Sequence, residues 1–410
     1  MVSIAFLICN LPSSVSTWIS QNDATTGNMN RTYTYNNFGI PIGRTAGSVQ
    51  NFTYSFDVQK GNLLNRVDNR HSKLEAFVYD NLNRLTSAAG KLITYASNAN
   101  ITRIQSVGTM AYDNNAKSYQ VTTLTPEETA VPLRNQTVAY TSFHHPSSIA
   151  ENGVTCSIIN NASGERVKMH VLNGAATVLT RYYISGQYEI DANSNVERLN
   201  LGGDAYSAPA VYVKEAGAWK IYYICRAYLD SITHVANADG SLKQELSYDA
   251  RGRLRIPTTL VAYTQGSEPV LFFGRGYTGH EYLPWFGLVN MIARLYDSAL
   301  GRFLSPEPFV QMPDFCQNFN RYSYAMNNLL VYIDQNGEFI HLIVGAIIGG
   351  TVNLIVNWKN IDGNFWKRLG YFDVGAGVGA LSAACGAWAV ATFNSVGVVA
   401  GVCAGNSLQS

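Results

Sequence analysis

The chain has 410 residues, a formal net charge of +1, 14% charged and 47% hydrophobic residues. That balance excludes intrinsic disorder, which needs low hydrophobicity and high net charge, and argues against a nucleic-acid partner, which needs a basic patch or stripe. With 25 Tyr and 35 Gly and few charged residues, the composition predicts strands and turns rather than helices.

The N-terminus, "MVSIAFLICNLPSSVSTW", has a short apolar run without the basic residues that precede the core of a secretory signal. "SIAFLIC" is read instead as a buried strand. The six cysteines, Cys9, Cys156, Cys225, Cys316, Cys385 and Cys403, are scattered. They lack the close C-x-x-C spacing of a zinc site, and all six are read as buried small apolar residues. No metal or cofactor is expected.

Further along, two nearly identical heptads stand far apart: "YDNLNRL" at 79–85 and "YDARGRL" at 248–254. In the second, Tyr248 ends a strand and Asp249 can accept from the backbone two residues on, which starts a turn. Gly252 supplies a positive φ; in the first copy Asn83 takes that place, as the non-glycine residue that best tolerates a left-handed conformation. The heptad is thus the tip of a β-hairpin. Worn copies lie at Tyr35-Asn36 with Gly39, Phe56-Asp57 with Gly61, and Tyr112-Asp113. Others are "INNASGERVKM" at 159–169 and "ANADGSLKQELSY" at 236–248. Serial hairpins bury little alone and must stack on their neighbours. No segment before residue 339 carries a helical period.

The stretch at 274–338 holds a denser set of motifs: "TGHE", "GLVNM", "ARLYDSALGRFLSPEP", "QNFNRYSYAMNN" and "DQNGE". Together with the heptads it resembles the Rhs family of YD-repeat proteins, bacterial relatives of the C component of insecticidal toxin complexes and of animal teneurins. The resemblance covers roughly residues 30–338 and is most specific in the last part. It implies a mainly β fold, in which a YD-repeat hairpin array over residues 1–256 curls into a shell-like sheet. The Rhs repeat-associated core over residues 257–338 closes that sheet at one end. A variable Gly-rich apolar tail occupies residues 339–410. The repeat stretch is shorter than in complete members, so a truncated descendant with an incomplete cage is expected.

In the tail, residues 339–358 and 374–405 carry no full charge, and glycines recur at four-residue spacing: Gly345 and Gly349, Gly375 and Gly379, Gly397, Gly401 and Gly405. That spacing lets helices approach closely, in a membrane or inside folded protein, and the first run is long enough to cross a bilayer. Helices are expected there, with membrane insertion as one alternative and enclosure by the shell as the other.

Chemistry enters through the resemblance. Members of the family cut themselves just after the core with carboxylates gathered inside the shell. The matching positions are Glu307 in "SPEP" and Asp334 in "DQNGE", with Asp297 and Arg302 nearby, and the bond would be Gly337-Glu338 or Glu338-Phe339. Two departures bear on this. The family usually has Asp where Glu307 stands and Pro where Gln335 stands, and an added methylene shifts the acid. The residues also admit a structural reading, with Asp297 and Asp334 opening turns and Arg302 holding the plug. Elsewhere, His144-His145 would point to opposite faces of a strand, and the His-Glu of "TGHEYLP" lacks the second histidine of a zinc protease. Tyr182-Tyr183 and Tyr222-Tyr223 suit sheet packing, though tyrosines also stack on sugars.

The resulting expectation is a container rather than a catalyst. It encloses, presents or exports a C-terminal effector in competition between bacteria, secreted or at the cell surface, and itself lacks a toxin enzyme. Its partners would be its own tail or effector, an immunity protein and export machinery. The alternatives are a carbohydrate-binding adhesion module and a membrane-anchored remnant.

Overall fold

The computed structural model describes residues 2–6, 12–18 and 28–341, apart from 38, 128–130, 132–134, 265, 309, 311–315 and 338–339. The apolar tail stretches, with the helices expected there, fall outside the described residues, as do Cys9, Cys385 and Cys403. Among the described residues there is no α-helix, only four short 3-10 turns, and no helix long and apolar enough to cross a membrane.

Strands pair strictly in chain order. A 12-stranded sheet runs from Val2–Phe6 to Thr123–Pro126, and an 11-stranded sheet from Thr137–Tyr140 to Leu242–Glu245. All the pairs are antiparallel. Among the described residues the repeat array therefore forms two sheets rather than the one continuous sheet expected, the first ending at Pro126 and the second starting at Thr137. Residues 3–6 of the run "SIAFLIC" lie in the strand Val2–Phe6 at the outer edge of the first sheet, and the rest of the run falls outside the described residues.

One turn is used again and again. At the YD heptad the Asp80 amide donates to the Arg84 carbonyl and the Asn83 amide to the Asp80 carbonyl. The Asp80 carboxylate accepts from the Leu82 and Arg84 amides, and Asn83 sits at φ 58°. Asp249 and Gly252 repeat the pattern. The same two backbone bonds recur at Asn36, Ala96, Thr141, Asn161, Ala227 and Asn237, with Gly39, Ala99, His144, Gly164, Asp230 and Gly240 as the left-handed residues. At 252 the glycine has a second reason: a Cβ there would run into the Tyr277 ring.

At four of the repeats a tyrosine joins the hairpin to the one before. Tyr79 donates its hydroxyl to the Leu63 carbonyl at 3.0 Å, Tyr95 to Leu85 at 2.7 Å, Tyr112 to Ile101 at 2.8 Å and Tyr248 to Ile232 at 3.1 Å. Each acceptor is the first strand residue after the preceding turn. The Arg84–Asp80 pair at 2.7 Å lies across the turn while the guanidinium covers the Tyr95 ring at 4.5 Å, so it is less exposed than a surface pair.

The core segment packs against both sheets. One hydrophobic cluster contains Leu63, Leu85 and Ile104 of the first sheet, Leu246 and Tyr248 after the second, and Tyr296, Tyr324 and Ile333 of the core. Buried charges reinforce the seam. Glu281, 1% exposed, accepts from Arg166 at 2.5 Å, Arg181 at 2.7 Å and the Tyr183 hydroxyl at 2.7 Å. Arg181 also grips Asp191 with two nitrogens, and Arg198 shares that carboxylate. On the other side Arg255 makes a two-nitrogen pair with Glu75 at 2.6 Å. Burial alone would raise both glutamates, but the facing arginines outweigh it and bring Glu75 and Glu281 down to about 2.

These contacts can be tested one at a time. Tyr95→Phe removes the hydroxyl donor from the Leu85 carbonyl and should cost about 1 kcal/mol, read as a lower urea midpoint at unchanged slope. The glutamate pairs set the acid limb. Their folded pKa lies below the unfolded 4.5, so their stabilisation is complete above about 4.5 and is lost as pH falls toward 2. The gap in melting temperature between Glu75→Gln and the unaltered chain should be wide at pH 7 and close across that window; a gap constant down to pH 2 would contradict the assignment.

Candidate functional site

The four residues singled out by the resemblance are all buried: Asp334 is 0%, Glu307 and Arg302 2%, and Asp297 7% exposed. They do not form one cluster of side chains. Asp297 and Arg302 face each other in register on neighbouring strands, Arg294–Asp297 and Arg302–Phe303, yet each is engaged elsewhere. The Asp297 carboxylate accepts from the Ala299 and Leu300 amides and so shapes the turn after its strand. Arg302 crosses to the first sheet, donating to the Tyr112 hydroxyl at 2.6 Å and the Tyr119 carbonyl at 2.8 Å, and also to Asn320 at 3.0 Å. Burial, which disfavours the charged form, pulls the Arg302 guanidinium below its usual range.

Asp334 and Glu307 are drawn toward a residue that the motifs do not single out. Arg294, 2% exposed, donates to the Asp334 carboxylate at 2.7 Å, to the Gly337 carbonyl and to the Arg321 carbonyl at 3.3 Å. Its guanidinium lies 3.6 Å from the centre of the Phe303 ring. The other Asp334 oxygen accepts from the Gly337 amide at 2.8 Å. Glu307 joins through backbone: its amide donates to the Arg321 carbonyl at 2.8 Å, and its carbonyl accepts from the Arg321 side chain at 3.0 Å. The strand pair Ile333–Asp334 with Ile340–His341 makes this stretch a hairpin, and both candidate scissile bonds lie in its connection. Gly337 is tightly enclosed, since a Cβ there would collide with the Met291 carbonyl.

His280 secures the same hairpin from the second sheet's side. Its Nε2 donates to the Gln335 carbonyl at 2.9 Å, and its Nδ1 accepts from the Thr278 hydroxyl at 2.8 Å. Burial dominates and lowers it to about 3, so it stays neutral in ordinary buffers. "TGHE" therefore contributes a neutral clamp and a buried anion. The only signal for Arg294 in the sequence was its place inside "ARLYD", where it reads as an ordinary strand arginine.

The remaining sequence candidates resolve individually. His144 occupies the left-handed position of a repeat turn, and the His145 ring packs against Gly164. Tyr222 and Tyr223 are buried, and Tyr182 is 38% exposed. Cys156 and Cys225 are buried as expected, with burial pushing the Cys156 thiol up to about 12. Cys316 is exposed, contrary to expectation, because it opens the 3-10 turn Cys316–Phe319 rather than a strand.

Comparison with known proteins agrees with this geometry. The Teneurin YD-shell family model matches residues 211–331. The chain is 26% identical over 306 residues to the tRNA3(Ser)-specific nuclease WapA of Bacillus spizizenii, a match covering 73% of this chain and 11% of that protein. It is 36% identical over 88 residues to salivary gland surface protein 1 of Aedes aegypti, 20% of this chain and 2% of that one. The chain thus spans about a tenth of the length of the WapA relatives it matches. Among solved structures, a TcdB2-TccC3 crystal structure aligns with a TM-score of 0.60 at 14% identity, over 82% of this chain and 21% of the other. The Tc holotoxin pore of Photorhabdus luminescens aligns with a TM-score of 0.61 at 14% identity, over 83% and 20%. At that identity the likeness concerns the fold. With its tyrosine-anchored hairpins and the core segment seated against them, the chain is similar to YD-shell proteins, by the family model over residues 211–331 and in fold over most of its length.

Proposed function

We propose that this chain is a scaffold that encloses or presents an effector lying C-terminal to the core, in a toxin system of the polymorphic kind, acting outside the cell or at its surface. In this reading residues 1–256 are the wall, 257–338 the plug and 339–410 the start of the cargo. An immunity protein and an export machine are the partners such a system requires. The observation that carries it is the seating of the plug. Arg302, Asn320 and Asn328 reach Tyr112, Asn100 and Asn62 of the first sheet, while Glu281 and Tyr228 join the core to the second. A wall held from both sides at the point where the chain leaves the core is suited to retaining the segment beyond it.

Protection from protease tests this. With the full folded chain, residues 342–410 should survive proteinase K far longer than they do when Arg302→Ala and Asn320→Ala together loosen the plug. Equal cleavage rates in the two proteins would sink the enclosure reading.

A second reading, self-cleavage, is favoured by Arg294. The Gly337 carbonyl that it holds belongs to the Gly337-Glu338 bond, and a fixed cation on that oxygen is what a developing oxyanion needs. Asp334 lies beside it as the carboxylate that would activate water, and Glu307, tied to the site through its backbone contacts with Arg321, would have to supply the proton. Intact mass of the purified chain should then show loss of residues 338–410. Asp334→Asn, Glu307→Gln and Arg294→Gln should each leave the chain whole. An unaltered chain that stays uncut removes the protease role.

A further inference from the structure

We propose that Asp68, His71 and Glu245, with His234 beside them, form a divalent-cation site of zinc-like preference that staples the first repeat sheet to the second. One ligand atom each from Asp68, His71 and Glu245 lies within 4.8 Å of the others. Asp68 ends the strand Leu63–Asp68 and His71 sits in the turn after it, whereas Glu245 ends Leu242–Glu245, the last strand of the second sheet. His71 and Glu245 are separated by 174 residues in sequence and meet only because the sheets abut.

His234 supplies the second, independent observation. It is 1% exposed and pairs in register with Glu245. The Thr233 hydroxyl donates its proton to the Cys225 carbonyl at 3.2 Å and accepts from Gln50 at 2.7 Å. With the Thr233 proton on the Cys225 carbonyl, the His234 Nδ1 at 3.0 Å from that hydroxyl is the donor, and Arg70 Nη1, 3.1 Å from Nε2, fits the same tautomer. Neutral His234 then carries its lone pair on Nε2, which lies 3.2 Å from Glu245 Oε1. Such a histidine, oriented through its far nitrogen, is the usual form of an imidazole ligand.

The cluster already holds a cation of its own. Arg70 Nη1 lies 3.1 Å from His234 Nε2 and 3.0 Å from Glu245 Oε1, donating to both. His71 Nε2 donates to the same Glu245 oxygen at 2.8 Å. Arg70 is carried on the turn and its side chain is 24% exposed, so it can swing out as an ion enters. His71 would then move its proton to Nδ1 and offer Nε2. With His234 drawn in beside the Asp68, His71 and Glu245 group, two imidazoles and two carboxylates would make a four-coordinate nitrogen and oxygen set, which suits zinc better than calcium or magnesium. Its ligand atoms would draw together to about 3.4 Å, the spacing of tetrahedral bonds of roughly 2.1 Å.

Titration of the full chain, freed of metal by a chelator, with Zn2+ in a calorimeter tests the site, with thermal melts in parallel. The expected result is one ion per chain and a raised melting temperature, because an ion that binds only the folded state stabilises it. His71→Ala and Glu245→Gln should each weaken binding at least tenfold. Arg70→Gln should tighten it, since the competing guanidinium is gone. Metal-free melts of each variant establish that it folds. No binding to the unaltered chain, indifference to His71→Ala and Glu245→Gln in folded protein, or weaker binding by Arg70→Gln would each overturn the proposal.

Discussion

The bond from a repeat tyrosine to the backbone of the preceding hairpin is the constraint on which this structure rests. A lone two-stranded hairpin is marginal in water; here the strand ladder joins successive hairpins, and the tyrosine bonds tie their turns together as well. Tyr79, Tyr95, Tyr112 and Tyr248 each place a ring in the space between neighbours and end it with a hydroxyl on a carbonyl of the hairpin before. Burial raises these phenols above their ordinary pKa, so the donor proton is retained at neutral pH. The hydroxyl both supplies a donor to the backbone and sets the distance from one turn to the next.

The core segment is seated on that regularity. Once the turns are spaced, their backbone carbonyls and Asx-type side chains line up as acceptors for the core. Asn320 donates to the Ala99 carbonyl and Asn100, Asn327 to the Ala99 carbonyl again, and Gln317 to the Leu82 carbonyl. Each of these acceptors sits in a repeat turn. On the second sheet the contact is ionic instead, with Glu281 among arginines that would be costly to bury unpaired. The core therefore engages one sheet by reading its turns and the other by neutralising its charges.

Much of this was legible in the sequence, and its gaps have physical causes. The Asp or Asn at the start of a turn and the Gly or Asn at its left-handed position were enough to place the turns at 36, 57, 80, 161, 237 and 249. The copies at Ala96, Thr141 and Ala227 escaped because the same backbone bonds form there with Ala99, His144 and Asp230 at positive φ, residues that announce nothing. The division into two sheets was equally invisible, since turn signals continue across it. Of the candidate site, Asp334 and Glu307 were found through motif and Arg294 was not, because a buried arginine in a strand differs from an exposed one only by what surrounds it. The Asp68, His71 and Glu245 cluster has no sequence signature at all.

The contrast between worn repeats and a sharply defined core comes from the kind of bond each makes. A tyrosine hydroxyl on a carbonyl, or an amide across a turn, asks nothing of the acceptor residue's side chain; Leu63, Leu85, Ile101 and Ile232 serve alike. Such repeats can lose their lettering while the wall keeps its spacing. The core's contacts include ones between particular side chains: Arg302 with Tyr112, Asn328 with Asn62, and Glu281 with Arg166 and Arg181. Changing one partner there strands a buried polar group, at a cost of several kcal/mol where the group is charged. The same physics leaves the repeats free to vary at their acceptor positions and constrains the side chains of the core.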